Sequence, residues 1–449
     1  MNKTKFFALI CAAALCLTAA GCAAGSKTEN GKTDPGTTAA QTAEAASPEE
    51  TAAPTDAAQT ETPTADGTET NVGSINTAAQ TLAAEAISVT YAANANGALD
   101  TADLFTDRDL LQTPDLTEAK TVTAADEQTA VITGAGVYVL TGTAHNFTVK
   151  VSVEEDAKVQ LVLNGLNVTN DSAPVICVES ADKCFLTAAG ENTLQTTGTF
   201  TADGDTNTDA VIFSKDDLTL NGTGTVTVVS TGHGIAGKDD VKLTGGTWTI
   251  TASGHGIEAN DSIAICGGSV AISAGKDGLH AENDDDDSLG YILIAGGSLT
   301  VNAKSDAVHA ATVVQIDDGT LTLTGGEGIE ATYIQLTSGT VNVTATDDGL
   351  NAGAKSGAYR TLIEINGGDL TVAVGQGDTD AIDSNGDIIV NGGTINVTAP
   401  TSSFDYDGSA QYNGGTIIVN GTQVYEIPQS MMGGGRGGMG GSMGFPGRR

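Results

Sequence analysis

"GEGIEATYIQLTSGTVNVTATDDGLNA", residues 326–352, states one phrase twice. Glu327-Gly328-Ile329-Glu330-Ala331 returns after 21 residues as Asp348-Gly349-Leu350-Asn351-Ala352, headed by a carboxylate both times. Between the copies lie "YIQL", a "TSGT" break and "TVNVT". Period-two alternation of apolar and polar residues, rich in β-branched side chains, is strand chemistry, and the Gly-centred break is a turn.

Working outward, the phrase begins at Asp209, His233, His255, Asp277, Asp306, Glu327, Asp348 and Asp380, at intervals of 24, 22, 22, 29, 21, 21 and 32 residues. Each unit repeats the order phrase, alternating strand, Gly-rich turn, second alternating strand, as in "IAI", "CGG", "SVAIS". A base period of 21 to 22 with three brief strands predicts an all-β chain folded as a right-handed parallel β-helix, a solenoid with about 22 residues per coil and coils about 4.8 Å apart. A propeller blade needs roughly twice that period, and a leucine-rich repeat shows a Leu and Asn ladder. Residues 209–428 read as the regular part. Residues 86–208 read as an N-terminal cap with longer, irregular coils, and "LFTDRDLLQTPDLTEA" (104–119) as the capping segment.

The ends have another character. Lys3 and Lys5, the run "FFALICAAALCLTAA" and Gly21-Cys22 read as a lipoprotein signal over residues 1–21, with Cys22 the lipidated residue. An ordinary secretory signal cut nearby is the alternative. Either way the expected location is extracellular, and with Cys22 lipidated it is the membrane surface, reached by the lipid anchor only. Residues 22–85 are an Ala/Thr/Glu/Pro stalk too poor in large apolar groups to offset its ordering entropy. Residues 429–449 form a flexible Gly/Met/Arg tail. Of the remaining cysteines, Cys266 occupies an aliphatic position, and Cys177 and Cys184 flank a turn across which they could pair.

With 19 Lys plus Arg against 56 Asp plus Glu, the net charge is −37. That charge repels nucleic acid and anionic headgroups and asks for cations. In a parallel stack the phrase position becomes a column (Asp277, Asp306, Glu327, Asp348, Asp380). Three residues on runs a second (Glu258, His280, His309, Glu330, Asn351, Asp383, Asp405). Carboxylates about 5 Å apart repel unless neutralised or protonated. Ca²⁺, which takes six to eight oxygens with tolerant geometry, meets that need. The expected metal ligands are Glu327, Glu330, Asp347, Asp348, Asn351, Asp378, Asp380, Asp383 and Asp405, with Asp407 beside them. An acid can also simply mark a solvated turn, and "NDDDDS" (283–288) reads equally well as a flexible acidic loop. His233 with His255, and His280 with His309, share columns and admit zinc as a minor reading.

"VQLVLNGLNVTN", "HGIAGKDDVKLTGG", "EGIEA", "DDGLNA", "DAIDSNGDIIVNGGTINV" and "FDYDG" together resemble the clostridial family of calcium-containing β-helix carbohydrate-binding proteins, over roughly residues 100 to 430. The resemblance implies surface lipoproteins that bind cellulose and acidic, pectic polysaccharides. His233 and His255 stand where other coils carry acids. For sugar contact the candidates are Tyr333, Tyr359, Tyr406 and Arg360, with Tyr291 a further aromatic, while Trp248 sits at an inward position. The predicted function is non-catalytic, calcium-dependent binding of plant cell-wall glycans. The first rival is a pectate-lyase-type enzyme drawing its base from Lys276, Lys304, Lys355 or Arg360. The second is a surface adhesin or spacer that binds protein.

Overall fold

The computed structural model describes residues 86–204, 206–377 and 379–429, and the backbone of the two-residue strand Ile75–Asn76. These belong to one compact unit, Thr68–Arg449. The signal, Cys22, the stalk apart from Ile75–Asn76, Asp378 and the tail from residue 430 lie outside the described residues.

Alternation translates directly into strands. Thr247–Ala252, Ser269–Ala274 and Thr340–Ala345 each expose their first, third and fifth residues and bury the others. Neighbours one period away pair in parallel with matching register, Trp248 beside Val270 and Ile250 beside Ile272, so like side chains stack inside. The buried residues merge into one long apolar interior running from Val122 to Ile427. Trp248 is fully buried in it, its indole N–H donating to Gly245 O (3.0 Å). Cys177, Cys184 and Cys266 are buried free thiols, so the pairing considered for the first two is not made.

The expected right-handed parallel β-helix, an open solenoid of three short strands per coil, needs correction. The strands form two sheets, one of 23 strands and one of 12, which close around the shared interior. The reason lies at the first turn of the repeat. Where that turn was expected to end a strand, Tyr291–Ala303, Val313–Gly325, Gly136–His145 and Lys158–Asn170 run straight through it. Bulges at Ala295 and Leu140/Gly142 absorb the bend, so two rows of strands fuse into one sheet. The 12-stranded sheet, with short members such as Ile329–Ala331 and Leu350–Ala352, carries the recurring phrase.

The segment read as a cap is a strap along the flank of the large sheet. Ala98 and Leu99 N–H donate to Gln335 and Gln315 Oε1 (2.9 and 2.8 Å). Leu99 and Phe105 pack on Ala264, Cys266, Leu293 and Val313. A four-residue helix, Asp107–Leu110, opens with a Thr106/Asp109 capping box. Its Asp109, fully buried, accepts from Thr219 (2.7 Å) and faces Lys183 (3.3 Å).

Candidate functional site

Two columns run along the 12-stranded sheet. Pairing sets Glu258, His280, His309, Glu330, Asn351, Asp383 and Asp405 opposite one another in sequence, one per level. The phrase-heading residues stack as well, each carbonyl accepting from the residue after its counterpart one level earlier, as Asp348 O does from Gly328 N–H (3.0 Å). Glycine follows the acid because space runs out. A Cβ on Gly328 would lie 2.2 Å from Val343 Cγ1 and 2.3 Å from Gly349 O.

The heading side chain has a job the sequence did not reveal. Asp306 N–H donates to Asp277 Oδ1 (3.0 Å) and Asp380 N–H to Asp348 Oδ1 (2.7 Å), so an acid ties its level to the next. His233 and His255 do the same through Nδ1, accepting from the N–H groups of His255 (3.1 Å) and Asp277 (3.3 Å). Imidazole replaces carboxylate there because either offers an acceptor at that distance.

Around the middle levels the four histidines form a single stack, with ring centroids 5.0, 4.3 and 4.8 Å apart. His255, Asp277 and His280 bring donor atoms close enough for a metal, yet both Nδ1 atoms are already engaged with Asp277. Burial opposes its charge, but the His255 and His280 imidazoles beside it hold the Asp277 carboxyl well below the usual range. Burial likewise works against a charged His309, and Asp306 and Glu330 outweigh it, pushing it up to about 9. Glu330 is opposed by burial and held at about 2 by His309 (2.8 Å) and Lys355 (2.7 Å). Lys355, one of the bases considered for the lyase reading, thus enters the acid group.

Beyond this point the balance changes sign. Asp306, Glu327 and Glu330 bring carboxylates within 4.8 Å of one another. Burial, Glu330 and Asp306 push Glu327 up to about 8 despite the hydrogen bond from Asn351 (3.1 Å). Asp383 is pushed up to about 7 by burial and by Asp348, Asp380, Asp405 and Asp407. Of the expected ligands, then, Glu327 and Glu330 approach one another and Asp306 closely enough to share an ion, with Asn351 bonded to Glu327, whereas Asp348, Asp380 and Asp405 act on Asp383 through their charge. Asp347 is exposed beside them.

The expected sugar-contact residues are divided. Tyr406 follows Asp405 on the same strand, half-buried. Tyr333, by contrast, begins a strand of the large sheet, where its hydroxyl donates to Glu364 and its ring joins Tyr359 beneath the strap. Arg360 is exposed and paired with Asp387 (2.9 Å). The loops at 283–290 and 353–360, which insert into the repeat, meet where Ser356 Oγ donates to Asp287 O (2.6 Å).

A family model described as "carbohydrate-binding domain-containing protein" matches residues 126–379, more than half of the chain. A protein of that same description from Acetivibrio thermocellus is 32% identical over 128 residues, 27% of this chain and 45% of its own length. The chain thus spans less than half of that relative. A solved structure described as the polysaccharide lyase-like protein from C. thermocellum, a gadolinium derivative, aligns at 29% identity with a TM-score of 0.45, covering 47% of this chain and 92% of the other.

Proposed function

The chain belongs to the family of carbohydrate-binding domain-containing proteins, and from that premise we propose that it is a non-catalytic, lipid-anchored surface protein that binds plant cell-wall polysaccharide through a Ca²⁺-loaded acidic face. The observation that carries the reading is the Asp383 cluster. Asp348, Asp380, Asp383, Asp405 and Asp407 share one stretch of the sheet, and burial together with the charge of the other four raises the proton affinity of Asp383. An all-oxygen, all-anionic donor set suits a hard divalent cation, whereas zinc prefers nitrogen and sulfur. A bound Ca²⁺ supplies positive charge that bridges protein carboxylates to uronate carboxylates. Asp348, Asp380, Asp383 and Asp405 would hold it, while Glu327 and Asn351 extend the same face.

A lyase reading draws on Lys355, the one lysine seated against the acid group. Its ammonium donates to Glu330 (2.7 Å), so it serves as a charge partner and not as a free base. The test is retention of the full chain on insoluble polygalacturonate, with Ca²⁺ and with chelator, while absorbance of unsaturated product is followed. Calcium-dependent retention without product is expected. Product accumulation would make the protein an enzyme, and absence of retention under both conditions would leave the adhesin reading.

A further inference from the structure

The second row of strands presents a face unlike the rest of the molecule. On Thr247–Ala252, Ser269–Ala274, Thr340–Ala345 and the second halves of Tyr291–Ala303 and Val313–Gly325, three side chains per strand point outward, and all fifteen are exposed. Nine are Thr, three Ser, two Asn and one Ala. The chain carries −37 net charge, yet these five adjacent levels place no charged side chain on this face. Among the described residues none of the fourteen polar side chains forms a side-chain hydrogen bond within the chain, although Gln195, outward at an earlier level, donates to Thr169 Oγ1 (2.7 Å).

Strand pairing is in register across all five levels, Thr249 with Ala271, Thr300 with Thr322, Thr322 with Asn342. The result is a grid of donors and acceptors, spaced about 4.8 Å between strands and about 6.6 Å along them, on a backbone held by the apolar interior. β-branched Thr has few rotamers to lose, so ordering the grid against a surface costs little entropy. A carboxylate-rich face repels polyuronate without cations and gains little from an uncharged polymer. A neutral hydroxyl grid has the opposite preference.

The geometry points to a second carbohydrate-binding surface on this face, separate from the acidic columns, that docks ordered, uncharged, hydroxyl-bearing polysaccharide without any cation. It rests on the carbohydrate-binding reading above and divides the labour within it, the acidic face taking uronates and the grid taking neutral chains.

The test is a depletion isotherm of the full chain on microcrystalline cellulose, in chelator and in Ca²⁺, beside polygalacturonate in Ca²⁺. Thr300→Glu, Thr322→Glu and Thr344→Glu together should weaken cellulose binding at least tenfold in both conditions and leave calcium-dependent polygalacturonate binding unchanged. The milder set Thr300→Val, Thr322→Val and Thr344→Val keeps the strand shape while removing the hydroxyls, and should weaken cellulose binding in the same sense without lowering the melting temperature. Cellulose binding that needs Ca²⁺, or that both triple variants retain in full, overturns the assignment. So does a wild-type chain that binds polygalacturonate and ignores cellulose, which leaves the proposed function standing. Binding to neither polymer removes the proposed function and this surface with it.

Discussion

Replacing Asp383 by Asn removes one carboxylate from the most anionic stretch of the sheet while keeping its size. A rise from the ordinary 3.8 to about 7 corresponds at face value to about 4 kcal/mol. The site is open enough for solvent to screen it, which reduces the figure to about 2 kcal/mol. Between those two values the folded chain holds a proton that the unfolded chain has released. Stability without metal therefore falls as pH rises through this window and is flat above it. Asp383→Asn should match the wild type near pH 4 and, in chelator at pH 8, exceed it by about 2 kcal/mol, or about 4 °C in melting temperature. Glu327, pushed up to about 8, adds a slope of the same sign to both proteins and cancels in the difference. In Ca²⁺ at pH 8 the order should invert, because the variant has lost a ligand. The assay is thermal unfolding by circular dichroism at the two pH values, in chelator and in Ca²⁺. A variant less stable than the wild type by the same amount at both pH values in chelator would refute the reasoning, since it would make the carboxylate a structural hydrogen-bond partner.

Three further outcomes follow from the packing. His309→Phe keeps a ring in the stack but removes a charge whose folded value, about 9, lies above the ordinary 6.5. Its stabilisation is full below about pH 6.5 and lost as pH rises through 9, so the variant should be more destabilised at pH 6 than at pH 10 in the same melting assay. Trp248→Ala empties the largest fully buried side chain and should cost about 3–5 kcal/mol in denaturant unfolding. Asp109→Ala leaves Lys183 with Asp217 as its remaining ion-pair partner (3.3 Å) but deprives the Thr219 and Thr106 hydroxyls of their acceptor, and should cost about 1–3 kcal/mol, read from the same unfolding curves.

The strands, their register and the burial of Trp248 were legible because they depend on alternation and a fixed period, both local properties. The fused sheet was not, because whether "AGGS" at 295–298 ends a strand or bends it depends on a bulge, which composition does not specify. The course of the strap was not legible for a similar reason. Its polar anchors, Asp109 and Gln112, find partners Thr219 and Thr244, over a hundred positions away. Of the site, residues with equal spacing were placed in columns, and Glu330, Asn351 and Asp383 do lie opposite one another. What spacing hid was chemistry between neighbours. The Nδ1 and Oδ1 acceptors that tie one level to the next, and the Lys355–Glu330–His309 group, arise where an insertion folds back onto the columns. The hydroxyl grid was present in every "TWTIT" and "TLTLT", but those runs read only as strand, since alternation uses the outward residue merely as polar.

The central claim is that the acidic columns form a cation site, and calorimetric titration of Ca²⁺ into the chelator-stripped full chain near pH 7 tests it most directly. Uptake accompanied by proton release, visible as a dependence of the heat on buffer ionisation, and strongly weakened in Asp348→Asn with Asp383→Asn, is the predicted result. Absence of uptake at millimolar Ca²⁺, or uptake that the double variant leaves unchanged, would contradict it.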